Sequence, residues 1–161
     1  MVAGTLYKTS AGLSPSNLLL RGTKYLEKPK VRVLVVDDYE PFRRFVCSTL
    51  KQRPDLLVVG EASDGLEAVQ KAEELQPDLI ALDLGLPNLN GFEAARRIRK
   101  LCPDCKILFV SQESCADVAQ EALTAGACGY VVKAYAGSQL LVAVDAVLQG
   151  REFLGSGLQG S

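Results

Sequence analysis

Four short apolar runs in this chain each end in a residue able to handle a metal or a phosphate. Val31–Val36 leads into Asp37 and Asp38, Leu79–Leu82 into Asp83, residues 107–110 into Ser111, and residues 130–132 into Lys133. An aspartate after a strand often does no more than cap the next helix. Convergence of all these groups on one sheet edge is the mark of a site. Three carboxylates held close together repel and raise one another's pKa, and a hard divalent cation relieves that. Mg2+ suits oxygen ligands of this kind, with Mn2+ as its substitute. A lysine and a hydroxyl opposite the metal are what the oxygens of a phosphoryl group need. The chemistry this suggests is phosphoryl transfer onto a carboxylate, giving an acyl phosphate.

Other chemistries are excluded or disfavoured. The chain has 161 residues and no histidine. Every Ser-His, Cys-His and His-metal mechanism is therefore removed, and any phosphohistidine must sit on another protein. Five cysteines, at 47, 102, 105, 115 and 128, cannot all pair within the chain, so reduced cytoplasmic thiols are expected. Cys102 and Cys105 form one C-x-x-C with no second pair to complete a zinc site. Cys105 also leads into a strand rather than a helix, unlike a thioredoxin-type pair. No G-x-G-x-x-G follows the first strand, which disfavours dinucleotide binding. The net charge of −1 disfavours a nucleic-acid-binding body, and the apolar stretches are too short to cross a membrane.

The elements that must position these groups alternate regularly. Strands are expected at 31–36, 56–59, 79–82, 107–110 and 130–132. Between them lie helical patterns. Phe42, Phe45, Val46 and Leu50 form one face; Leu66, Val69 and Ala72 the next, capped by Asp64; then Phe92, Ala95 and Ile98. An alanine-rich helix at 115–125 and a last helix at 138–149, stopped by Gly150, complete the series. Continuous apolar strands between helices predict an α/β domain with a five-stranded parallel sheet and five helices. This unit spans 31–150. Residues 1–30 carry a net charge of +4 and read as a flexible basic extension. Residues 151–161 read as a short Gly/Ser-rich tail.

The segment from Val31 to Gly150 resembles a response-regulator receiver domain of two-component signalling. The matching residues are Val-Leu-Val-Val-Asp37-Asp38, and Pro77-Asp-Leu-Ile-Ala-Leu-Asp83-Leu-Gly-Leu-Pro87 with Asn90-Gly91. Ile-Leu-Phe-Val-Ser111 and Gly129-Tyr-Val-Val-Lys133 complete the match. The resemblance implies a flavodoxin-like sheet of order 2-1-3-4-5. It implies Asp83 as phosphoacceptor and a Mg2+ site made by Asp37, Asp38, Asp83 and the backbone carbonyl of Gly85. Lys133 and Ser111 would bind the phosphoryl group, and Tyr130 would be an aromatic switch that turns inward. Gly85 and Glu113 stand at positions that tune phosphate lifetime.

The resemblance further implies a phosphorylated switch rather than a turnover enzyme, fed by a histidine kinase or a histidine phosphotransfer protein. A haloacid-dehalogenase-type phosphatase would want a second acid where Gly85 stands. Ala134 follows the lysine where many receivers carry a cis proline. The closing residues resemble the end of a receiver that precedes a helix-turn-helix domain, yet no such domain follows, so a stand-alone receiver is expected. The helices 115–125 and 138–149 are expected to offer an output surface for a homodimer or a protein target. Ala116, Ala119, Ala122 and Ala125 give it a low profile, and Val142 and Ala146 face outward. No direct nucleic-acid or membrane contact is expected.

Overall fold

A computed structural model describes residues 29–160. The basic extension therefore lies outside the described residues, apart from Pro29 and Lys30. The chain alternates strand and helix: β1 (Val31–Val36), α1 (Glu40–Lys51), β2 (Leu56–Ala62), α2 (Gly65–Leu75), β3 (Leu79–Leu82) and α3 (Gly91–Leu101). It continues with β4 (Lys106–Ser111), α4 (Ala116–Thr124), β5 (Gly129–Val132), α5 (Ala136–Leu148) and β6 (Phe153–Leu154). The strands form one sheet in the order β2-β1-β3-β4-β5-β6, and every pairing is parallel. The expected five strands in the order 2-1-3-4-5 are present, and β6 extends the sheet by one. Two residues are too short to show a period in the sequence.

The period-2 alternation of strand side chains divides the core into two layers. Leu34, Ile80, Leu82, Ile107, Phe109 and Tyr130 face one layer, with Ala68, Ala72, Ala94, Ala95, Ile98, Ala119 and Ala122 of α2, α3 and α4. Val33, Val35, Leu79, Leu108, Val110 and Val131 face the other, with Val46 and Leu50 of α1 and Leu140, Ala143, Val144 and Val147 of α5. Helix starts follow from local chemistry. Asp64 caps α2 by accepting the Glu67 N–H, and Asn90 caps α3 by accepting the Glu93 N–H. Pro41 stands in the first turn of α1, where its missing N–H costs nothing.

Three expected faces are corrected. Leu66 is exposed, and Ala68 with Ala72 forms the buried stripe of α2. Ala119 and Ala122 of α4 are buried against the sheet, so α4 presents Asp117, Gln120, Glu121 and Thr124 outward instead of a small-residue surface. Ala146 is only 3% exposed, whereas Val142 is 57% exposed. A helix apolar on almost every side gives a period that cannot tell its buried flank from its free one.

Candidate functional site

Strand order sets the site. Because β1 lies between β2 and β3, the chain leaving β1 emerges beside the chain leaving β3. The Asp83 N–H donates to the Val36 carbonyl at 3.1 Å, and the Asp37 N–H to the Ala62 carbonyl at 3.0 Å. The first bond holds the two aspartates next to each other, and the second ties Asp37 to the end of β2. Carboxylate oxygens of Asp37, Asp38 and Asp83 all lie within 4.8 Å of one another. Asp37 and Asp83 are buried and Asp38 is exposed.

Gly91 permits this placement. Its N–H donates to the Leu84 carbonyl at 2.8 Å, and a Cβ there would overlap the Asp83 backbone carbonyl. Only glycine lets the start of α3 press so closely on the loop after β3.

Lys133 enters from the end of β5, at the start of a 3-10 turn spanning Lys133–Tyr135. Its Nζ is 2.7 Å from Asp37 Oδ2 and 3.4 Å from Asp83 Oδ2. The ammonium also sits 4.6 Å from the centre of the Phe42 ring. No peptide bond among the described residues is cis, so Ala134 follows Lys133 through a trans bond. Burial pushes the Asp83 carboxyl above its ordinary pKa. Lys133 opposes that push and the Asp37 charge adds to it. One ammonium between two buried carboxylates, with a third carboxylate beside them, leaves an excess of negative charge. Oxygen donors so arranged fit a hard divalent cation.

Ser111 ends β4 and is buried beside the same cleft. Its Oγ accepts the Glu113 N–H at 3.1 Å. The Tyr130 ring is fully buried, and its hydroxyl donates to the Glu113 carbonyl at 2.8 Å. Tyr130 therefore stands in the inward position, and burial raises its phenolic pKa. Gly85 and Glu113 are both exposed at the cleft, and nothing lies within 4 Å of where a Gly85 Cβ would be. The cleft is open, about 960 Å³, with Asp38, Asp83, Ser111 and Lys133 in its lining.

All eight site residues read from the sequence thus surround or adjoin one cleft. Two contributors were not legible. Phe42 lies under Lys133, although its spacing marked it only as part of the buried face of α1. Arg43 donates to the Asp37 carbonyl at 2.8 Å and to Glu61 Oε1 at 2.9 Å, bracing the loop after β1. Neither contact leaves a signal in local spacing, because each depends on how α1 is rotated against β1 and β2. Cys102 and Cys105 are buried at the opposite end of β4, and all five cysteines are free thiols.

The model of the response regulator receiver domain matches residues 33–145. Among characterised relatives, the chain is 46% identical over 105 residues to a protein-glutamate methylesterase/protein-glutamine glutaminase of Thermotoga maritima. That match covers 64% of this chain and 30% of the relative. It is 39% identical over 124 residues to the DNA-binding transcriptional activator DevR/DosR of Mycobacterium tuberculosis, covering 77% of this chain and 57% of that protein. The chain thus matches only part of the length of these relatives. Among solved structures, a LuxR-family two-component response regulator from Aurantimonas sp. SI85-9A1 superposes with a TM-score of 0.74 at 35% identity. It covers 77% of this chain and 89% of that one. By sequence and by fold alike, the chain belongs to the response regulator receiver domain family.

Proposed function

We propose that this protein is a phosphoryl-accepting switch in a two-component relay, with Asp83 as the acceptor. One observation carries the reading. Asp83 belongs to a carboxylate cluster suited to a cation and lies 3.4 Å from the Lys133 ammonium, at a cleft open to solvent. An Asp83 carboxylate oxygen forms a bond to phosphorus while the P–N bond of a phosphohistidine on a separate kinase or phosphotransfer protein breaks. The imidazole leaves with a proton. Asp37, Asp38, Asp83 and the Gly85 carbonyl would hold Mg2+ or Mn2+, which would supply charge neutralisation for the phosphoryl oxygens. Lys133 pairs with a second phosphoryl oxygen and Ser111 hydrogen-bonds a third. Tyr130, inward on the Glu113 carbonyl, is the switch residue.

The chain acts as a self-labelling switch in the cytoplasm rather than as a turnover enzyme, and it works through a second copy or a protein target without touching nucleic acid itself. The output surface is the exposed flank of α5 around Val142. In the test, acetyl phosphate or phosphoramidate with Mg2+ is added to wild type and Asp83→Asn, and intact masses are compared. One phosphoryl group on wild type and none on the variant is the expected result. Equal labelling of both overturns the assignment.

A further inference from the structure

Residues 151–160 run back along the sheet instead of trailing from it. The Phe153 N–H donates to the Cys128 carbonyl at 3.2 Å, and the Gly155 N–H to the Tyr130 carbonyl at 2.9 Å. Further along, the Gln159 N–H donates to the Ser114 carbonyl at 2.7 Å, and the Ala116 N–H to the Gln159 carbonyl at 2.7 Å. The Gln139 side chain of α5 clasps Ser156 twice, accepting its N–H at 3.0 Å and donating to its Oγ at 2.6 Å. Leu158 packs on the core layer that contains Tyr130 and Phe109. Gly157 has φ +88, and a Cβ there would overlap the Tyr135 ring. The segment is a strap bonded to β5, α5 and the loop before α4.

Its bonds meet the site at one residue. Tyr130 gives its backbone carbonyl to the strap and its hydroxyl to the Glu113 carbonyl. The Glu113 N–H is held by Ser111 Oγ, and the next residue, Ser114, receives Gln159. A continuous chain of contacts therefore runs from Ser111 in the cleft through Glu113, Tyr130 and Ser114 to the strap. We propose that residues 153–160 form a strap coupled to the Asp83 site, such that phosphoryl binding tightens the strap and a docked strap favours phosphoryl binding. The coupling rests on the phosphoacceptor reading of Asp83.

The physical basis is shared order in the loop 111–116. The docked strap requires the Ser114 carbonyl and the Ala116 N–H to face Gln159. A phosphoryl group hydrogen-bonded by Ser111 fixes the start of the same loop. Whichever binds first has already met the ordering cost of the other, so the two cooperate. Coupling between binding equilibria is reciprocal, and both directions are measurable.

The test uses the full chain, with Mg2+ and beryllofluoride as the phosphoryl analogue. Analogue binding is followed by fluorine resonance, and amide exchange is followed in peptides covering 114–117 and 153–160. Exchange in both peptides should slow several-fold on binding. Gly157→Val, which places a β-branched side chain at a positive φ against Tyr135, should release the strap and weaken beryllofluoride binding about 3- to 10-fold. Exchange in β1 and β3 should stay as in wild type, confirming that the core holds; if the variant does not fold, the wild-type exchange decides alone. Bound analogue with strap exchange unchanged or faster overturns the coupling, as does unaltered affinity in a folded Gly157→Val protein, and both leave the site reading standing. No analogue binding by wild type overturns the site reading and the coupling with it.

Discussion

Lys133 lies nearer to Asp37 than to Asp83, at 2.7 Å against 3.4 Å. The lysine thus has its firmest hold on a carboxylate that is not the proposed acceptor. Asp83 is left with one weaker ion pair, a burial that raises its pKa, and an open side toward solvent. Water has the same access as a phosphodonor, and Gly85 does nothing to restrict it. The absence of any atom within 4 Å of a Gly85 Cβ means that a larger side chain fits without displacing its neighbours. Gly85→Asn or Gly85→Arg should therefore lengthen the life of the acyl phosphate several-fold. Loss of label after donor removal measures it, and an unchanged or shorter lifetime in both variants contradicts the access argument. Asp37, Asp83 and Lys133 were readable because each directly follows a strand, and Ser111 because it closes one. Phe42 was not, because its place under Lys133 arises from the rotation of α1 rather than from a motif.

Helix capping links the elements to pH. At the start of α2, the Glu67 N–H donated to Asp64, with a lesser part from Asn88, holds the Asp64 carboxyl below its usual range. Glu67 is held low by the Ser63 N–H first and Lys71 next. Both folded-state pKa values lie below the unfolded ones, roughly 3.9 for Asp and 4.3 for Glu. Their contribution is complete above the unfolded values and is lost as pH falls through the lower folded ones. Asp64→Asn with Glu67→Gln keeps acceptors in place but removes the titration. Its Tm should fall less steeply than wild type between pH 5 and pH 3, to the extent set by these two groups. An acid limb as steep as wild type contradicts this account. At this scale the sequence disclosed β1 to β5 and all five helices, since continuous apolar runs separated by amphipathic helical stretches mark both kinds of element. It hid β6, which exists only because Phe153 and Leu154 meet Gly129 and Tyr130 from a distance along the chain.

The whole molecule decides which apolar residues remain available to a partner. Val142 and Ala146 are four apart on α5 and looked equivalent, yet packing buries one and leaves the other free. Val142→Glu should shift stability by less than about 0.5 kcal/mol, as surface changes do. Ala146→Glu forces a long side chain into a filled space, costing about 1–3 kcal/mol before its charge is counted. Chemical denaturation of the two single variants distinguishes them, and equal stability contradicts the packing of α5. Partner-binding assays should therefore rely on Val142→Glu alone. The proposed acceptor site is likewise a property of the folded whole, since its groups come from β1, β3, β4 and β5. Acyl phosphate at a single carboxylate is the most direct evidence for it. Protein treated with acetyl phosphate and Mg2+, then reduced with borohydride, converts the phosphorylated aspartate to homoserine, which peptide mass spectrometry locates. We expect homoserine at position 83 alone, and only when the divalent metal is present. Homoserine at another aspartate, or at position 83 to the same extent without metal, would contradict the account.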